Sequence, residues 1–104
     1  MSPDVLKKEF LPKYSSMGES KFYKSLLFYA VNKLLILEKS QYNGTLPNIE
    51  LLECHDQFII LYRREGEPSY LDIAKIFRKV AHKIYRVMLK KNITTKNDKF
   101  LNLV

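Results

Sequence analysis

The stretch Ser69–Lys91, SYLDIAKIFRKVAHKIYRVMLKK, decides the fold. Its apolar residues recur at spacings of four, three, four and three, which is one stripe of an α-helix: Ile73, Phe77, Val80, Ile84 and Val87. Ser69 and Asp72 have the pattern of a capping box at its start. Within this stretch no acidic residue follows Asp72, and basic residues occupy the opposite side. The pattern predicts a long amphipathic helix with one face in the core and one basic face.

The positive charge of the protein is concentrated in this predicted helix. The chain has 18 Lys and Arg residues and 11 Asp and Glu residues, which gives a formal charge of +7. The helix holds seven of the basic residues, and the remaining 11 balance the 11 acidic residues of the chain: Lys75, Arg78, Lys79, Lys83, Arg86, Lys90 and Lys91. The excess charge is therefore the charge of one helix face.

Basic residues four apart lie next to each other on this face, as in Lys75–Lys79 and Lys79–Lys83. Each like-charge pair costs roughly 0.2–0.5 kcal/mol, whereas a face that is only solvated usually mixes both signs of charge. An acidic partner or phosphate groups would relieve the repulsion. We expect such contacts, with simple solvation as an equal alternative, at seven residues: Lys75, Arg78, Lys79, His82, Lys83, Arg86 and Lys90.

Nucleic acid is one candidate for the acidic partner of this face. Lysines outnumber arginines there, so the face suits phosphate contacts better than base recognition. No zinc finger, helix-turn-helix or RNP-like aromatic motif accompanies it. An anionic membrane surface is a further alternative, but the apolar side of the helix is needed for the core of so small a chain.

A second long helix is predicted from Lys21 to Tyr42, because its apolar residues also follow the helical period. Its apolar arc covers more than half of the circumference, and Phe28 and Leu35 extend it onto the polar side. Lys33 falls inside the arc, where it needs a partner or must reach out to solvent. A helix that is apolar nearly all round is normally covered on more than one side, which favours an interface here.

A β-hairpin is predicted between the two long helices, because the apolar period changes to two. Residues 48–53 alternate weakly, residues 54–57 fit a turn, and Phe58–Tyr62 is rich in β-branched and aromatic residues. The second strand is apolar on both faces, and a lone hairpin is marginally stable. We therefore expect further cover from a third strand in the tail, a partner protein or a second copy.

The beginning of the chain predicts a short helix that starts at Ser2–Pro3 and stops at Pro12, followed by a loop at residues 15–20. The domain division is a short helix and linker at 1–20, a single α-β-β-α domain at 21–91 and a C-terminal tail at 92–104. The predicted fold class is α+β, with the two long helices packed over one face of the hairpin.

The motifs of the chain argue against catalysis and metal binding. Cys54, His55 and Asp56 carry triad-like side chains, but consecutive residues point in different directions. One cysteine and two histidines do not make a closed four-ligand zinc site without carboxylates. The three glycines stand apart, so no phosphate-binding loop is present. We expect no enzyme, no cofactor, no metal and no small-molecule substrate.

Composition indicates where the protein works. A single cysteine suits a reducing compartment, and the first twenty residues are too charged for a secretory signal. The longest apolar stretch is interrupted by lysines and is too short to span a bilayer. These features predict a protein of the cytoplasm or nucleus without a transmembrane segment.

The function that these patterns favour is a non-catalytic adaptor or complex subunit, which binds another protein or a second copy of itself. The predicted interface consists of apolar residues of the second helix and the strand, with an arginine at the rim: Phe28, Tyr29, Ile59, Leu61 and Arg63. The alternative function is binding of an RNA or DNA backbone through the basic helix at residues 75–90.

Overall fold

The computed structural model describes residues 2–40 and 45–91, and in these ranges the chain forms α-helices and no β-strand. The helices are α1 (Pro3–Met17), α2 (Glu19–Ser40), α3 (Pro47–Glu65) and α4 (Pro68–Lys90). The predicted α+β class is therefore wrong, because the part of the chain that the structure describes is all-α. The predicted tail at 92–104 and the end of the second helix at 41–42 lie outside the described residues.

Helix α3 takes the place of the predicted hairpin. Pro47 occupies the first helical position, and Gly66 follows the last residue in a left-handed conformation, with φ of 72°. The Gly66 N–H donates to the Tyr62 carbonyl at 2.7 Å and closes the helix end. The buried residues recur at spacings of three, four and three, which is one helical stripe: Leu51, Cys54, Phe58 and Leu61.

The apolar run Phe58–Tyr62, which predicted a strand, points to all sides of α3. Phe58 and Leu61 are fully buried, whereas Ile60 is 45% exposed. Burying a large apolar side chain gives about 1.5–3 kcal/mol, but strand propensities span only about 1 kcal/mol, so packing outweighs the preference of the β-branched residues. Without a strand, the expected need for a third strand or a strand-pairing partner disappears.

Helix α4 forms the centre of the core and packs against both α3 and α2. The Phe77 ring lies 5.1 Å from Phe10 of α1, 6.0 Å from Phe22 of α2 and 5.8 Å from Phe58 of α3, measured between ring centroids. Phe77 therefore joins all four helices. The stripe read from the sequence is buried apart from the half-buried Val87: Ile73, Phe77, Val80 and Ile84.

Three of the described helices begin with proline, whose missing N–H and fixed φ suit the first helical position. At α1 the Ser2 hydroxyl accepts a hydrogen bond from the Val5 N–H at 3.3 Å, so the predicted helix start is confirmed. The capping box predicted for α4 is wrong. This helix begins at Pro68, which places Ser69 inside the first turn and Glu67 at the cap without a side-chain bond.

Helix α1 continues past Pro12 to its end at Met17, so the predicted stop at Pro12 and the loop at residues 15–20 are both wrong. Pro12 has no N–H to donate to the Lys8 carbonyl, but both residues lie on the exposed side of the helix, where water can take the place of the missing hydrogen bond. On the other side Phe10 packs against the core rings and holds the helix in place. Gly18 alone separates α1 from α2.

Ion pairs attach α1 to the end of α3. The Arg64 guanidinium lies 2.7 Å from the Asp4 carboxylate, and the Lys7 ammonium lies 2.9 Å from the Glu65 carboxylate. The Tyr70 hydroxyl donates to Glu65 at 3.3 Å. Hydrogen bonds from Arg64 and Lys7 lower the pKa of Glu65 to about 2. These contacts fix α1 beside the turn that joins α3 and α4.

Candidate interaction surfaces

The basic face of α4 is exposed along its whole length. All seven side chains that the sequence assigned to an acidic partner are exposed: Lys75, Arg78, Lys79, His82, Lys83, Arg86 and Lys90. In the described ranges the ion pairs involve other basic residues, namely Lys7, Lys33, His55 and Arg64. The face therefore presents positive charge to solvent, with no ion pair between these seven side chains and a carboxylate of the described chain.

A shallow groove of about 500 Å³ between α2 and α4 gathers part of this charge. Tyr23 of α2 and Val87 of α4 supply its apolar lining, and five of the seven basic-face residues line the rest: Lys79, His82, Lys83, Arg86 and Lys90. The Lys79 ammonium lies 4.9 Å from the centroid of the Tyr23 ring. At this distance a cation interacts favourably with an aromatic face, so α2 and α4 form a joint surface.

Helix α2 carries an apolar surface that faces solvent. We call it the α2 apolar face, and its residues are Phe28, Tyr29, Val31, Leu35 and Ile36. The side chain of Phe28 is 71% exposed and that of Ile36 is 58% exposed. Phe28, Val31 and Leu35 follow at spacings of three and four, so they lie on one side of the helix.

The opposite side of α2 belongs to the core, where Phe22, Leu26, Ala30 and Leu34 are buried. The described chain thus covers one side of this nearly all-apolar helix and leaves the other open. Single exposed apolar residues are ordinary, but a contiguous group on one helix side is typical of an interaction site. The α2 apolar face is therefore the strongest candidate for a protein interface.

Basic residues adjoin the α2 apolar face. Lys24 and Lys21 precede Phe28 by four and seven residues, so they extend the same side of the helix, and both are exposed. Tyr23, which lines the groove, is followed by Leu27 and Val31 at spacings of four. This row runs from the basic groove to the apolar face, so the two surfaces are neighbours on α2.

The α3 residues of the predicted interface have different surroundings. Leu61 is fully buried and Ile59 is half-buried against the core, so only Arg63 is exposed. The prediction assumed a strand, in which residues two apart share a face. On a helix, residues two apart point in nearly opposite directions, so these three do not form one surface. Leu61 is unavailable to a partner in this fold.

Lys33 finds a partner in the structure. Its ammonium group binds the Glu50 carboxylate of α3 and lies 5.4 Å from the centroid of the Tyr29 ring. Burial alone would lower the pKa of Lys33, but hydrogen bonds to Glu50 and Tyr29 outweigh it and leave this pKa raised. Lys33 is therefore charged at neutral pH and helps to fix the orientation of α2 on α3.

The triad-like residues lie within α3, so the predicted turn at 54–57 is wrong. Burial raises the pKa of the Cys54 thiol to about 12, which keeps it protonated at neutral pH. His55 Nδ1 lies 2.9 Å from Asp56 Oδ1. Among the described residues no three His, Cys, Asp or Glu side chains are grouped so as to hold a metal ion.

A cleft of about 260 Å³ lies where α1, α2 and α3 meet. Apolar core residues such as Leu6 and Phe22 line it, with the exposed Glu9 and Lys13 among its lining residues. Pockets for small molecules usually measure about 300–1,000 Å³, so the volume of this cleft lies below the usual range. We therefore treat this cleft as a gap in helix packing.

No family model, curated protein or solved structure matches this chain. Within the described ranges, none of the helices combines the length and apolarity that crossing a bilayer requires. The chemistry of the exposed surfaces is therefore the basis for inferring a function.

Proposed function

We propose that this protein is a non-catalytic protein-binding module, an adaptor or complex subunit, that buries the α2 apolar face against a partner. The observation that supports this proposal is the exposure of five large apolar side chains within residues 28–36 of one helix, with Phe28 the most exposed. Fully burying one exposed side chain of this kind contributes at most about 1.5–3 kcal/mol, so covering several of them offsets part of the roughly 4–15 kcal/mol that association costs.

A photocrosslinking experiment tests this proposal in cells. Asn32 lies among the exposed residues of α2, so a photoreactive phenylalanine analogue at this position reports on contacts of the apolar face. Asp56, exposed on α3, is the matched control position. We expect a crosslinked product of defined mass from position 32 and none from position 56. The product should disappear when Phe28→Ser and Leu35→Ser are introduced into the same chain.

The possible outcomes distinguish specific crosslinking at the α2 apolar face from nonspecific crosslinking. Identical products at both positions, or a product that survives the double serine substitution, would contradict the proposal. Both serine substitutions are at solvent-facing positions, so the fold should persist. Circular dichroism of the purified variant checks this point, because helix content should equal that of the wild type.

Nucleic-acid binding through the basic face of α4 is the second candidate function. The observation that favours it is the row of exposed basic side chains without ion pairs to the described chain. Binding to duplex RNA and duplex DNA should then fall steeply with salt, because phosphate contacts release counterions. The variant Lys83→Glu should weaken it, with Lys8→Glu as the control. Absence of binding at low salt would exclude this function.

A further inference from the structure

We propose that the partner is an acidic amphipathic helix that lies along the groove between α2 and α4. Its apolar residues would contact the α2 apolar face, and its carboxylates would contact the basic face of α4. This inference rests on the proposed function and deepens it, because it specifies the chemistry of the protein that the α2 apolar face binds.

The spacing of the basic residues on α4 fits a helical partner. Four of the five basic-face residues at the groove follow at spacings of four, three and four, so they form one row: Lys79, Lys83, Arg86 and Lys90. This row is about 16 Å long at 1.5 Å per residue. A helix laid beside it presents its own side chains at the same spacings, so several carboxylates can reach the row together.

The apolar side of the partner is specified by α2. Phe28, Val31 and Leu35 repeat at spacings of three and four, as anchors for a facing helix do. The row Tyr23, Leu27 and Val31 connects these residues to the groove. A single helix that is apolar on one side and acidic on the adjacent side would therefore satisfy both surfaces at once.

Charge decides against a second copy as the occupant. A two-fold symmetric interface uses the same patch of both copies, so it would bring two basic rows and two sets of lysines into one interface. Lys21 and Lys24 extend the apolar face with positive charge, and the chain as a whole carries +7. Like charges at an interface oppose association, whereas carboxylates of a different protein are complementary.

The combination of charge with apolar surface favours a protein over a polyanion. Phosphate backbones would satisfy the basic row of α4 but would leave Phe28 and Leu35 in contact with water. The groove itself is lined by Tyr23 and Val87 as well as by cations. An amphipathic acidic helix is the occupant that uses every part of this surface.

A displayed library of helical peptides tests the inference with the full chain. Each peptide carries fixed apolar residues at helical spacing, and its other positions hold Glu, Gln or Lys in equal proportion. Selection on the immobilised protein should enrich Glu over both Gln and Lys. The affinity of the best selected peptide should fall about tenfold in Lys83→Glu, where a groove cation is reversed, and less than about twofold in Lys8→Glu on α1.

A second variant distinguishes this inference from the proposed function. Phe28→Ser should also weaken the selected peptide, because it removes the most exposed apolar contact. If Gln peptides bind as well as Glu peptides and still depend on Phe28, the acidic partner is wrong and the protein-binding function stands. If the affinity of the selected peptides is unchanged in Phe28→Ser, both the acidic helical partner and the proposed protein-binding function are wrong. If no peptide is enriched, the helical partner is wrong.

Polyanion competition completes the test. A duplex RNA of about 20 base pairs is titrated against the selected peptide on the same protein, and vesicles of phosphatidylserine are titrated separately. We expect both to compete weakly at physiological salt. An RNA or vesicle affinity that exceeds the peptide affinity, depends on Lys83 and is unchanged in Phe28→Ser would assign the basic face to that ligand and overturn the inference.

Discussion

Helices α2 and α4 have similar lengths, 22 and 23 residues, and pack into the same core, but their outer sides differ. Among the large apolar residues that are exposed in the described chain, α4 contributes only Leu89, whereas α2 contributes the five of its apolar face. The outer side of α4 consists of cations that water can solvate. The outer side of α2 is apolar and gains free energy when it is covered. The two helices therefore suit different contacts: α4 suits acidic groups of a partner, and α2 suits apolar groups.

The largest expected effect tests the inner side of α4 against the outer side of α2. Phe77→Ala should lower the free energy of unfolding by about 3–5 kcal/mol, because it removes a fully buried ring that contacts three others. Phe28→Ala should change it by less than about 0.5 kcal/mol. Urea denaturation followed by circular dichroism measures both. A large loss in Phe28→Ala would mean that the chain itself covers the α2 apolar face.

A smaller change in the free energy of unfolding is expected when the buried and exposed sides of α2 are compared. Ala30 is fully buried, so Ala30→Leu should overpack the core and lower the free energy of unfolding by about 1–3 kcal/mol. Asn32→Leu, on the exposed side, is the matched control and should change it by less than about 0.5 kcal/mol. Thermal unfolding compares the two variants with the wild type. Equal losses would show that both sides of α2 are packed.

A substitution on the outer side of α4 should raise the free energy of unfolding, whereas the core substitutions above lower it. Lys83→Glu replaces like-charge pairs with Lys79 and Arg86 by attractive pairs, each contributing about 0.2–0.5 kcal/mol, so the free protein should become slightly more stable. Urea midpoints at low salt and in 1 M NaCl measure the gain, which salt should screen. Lys83→Gln should give a smaller gain. A loss of stability in Lys83→Glu would mean that Lys83 already binds a carboxylate within the chain.

The smallest effect concerns the ion pairs that attach α1 to the end of α3. Arg64 and Lys7 hold the pKa of Glu65 at about 2 in the folded protein, against an ordinary value of 4.5. Because the folded pKa is lower, this stabilisation is complete above about pH 4.5 and is lost as the pH falls through 2. Glu65→Gln should reduce the fall in stability over this window. Parallel curves of the free energy of unfolding against pH for wild type and Glu65→Gln would contradict the assignment of this stabilisation to Glu65.

The sequence predicted α4 well because its apolar and charged residues are fully segregated. The stripe through Phe77 and the exposed basic face both follow from the helical period alone. The helix α2 was predicted from Lys21 and begins at Glu19. The open side of α2 was signalled by Phe28 and Leu35, whose apolar side chains stand where polar ones were expected.

Helix α3 was missed because two local signals disagreed. The run Phe58–Tyr62 has the composition of a strand, but Pro47 and Gly66 mark the two ends of a helix. Leu51, with Cys54 and the residues that follow it, also has the helical spacing. Strand propensity and helix-end signals therefore point to different structures, and tertiary packing decides in favour of the helix.

The groove between α2 and α4 was beyond sequence reasoning. The basic residues of α4 were identified, but nothing local places Tyr23 of α2 beside Lys79. That contact depends on how the two helices pack through Phe22 and Phe77, which are 55 residues apart in the numbering. The error at α3 had a direct consequence for the interface, since Leu61 was assigned to a surface and lies in the core.

The turn between α3 and α4 determines whether the core is built within one chain. Only Gly66 and Glu67 separate the two helices, and the left-handed φ of Gly66 followed by Pro68 reverses the chain direction. This turn therefore keeps Phe58 of α3 and Phe77 of α4 in the same molecule, where their rings stack with 5.8 Å between the centroids. Mutations in a hinge loop are a known route to domain swapping, so substitutions that straighten this turn are the ones expected to favour exchange of α4 between copies.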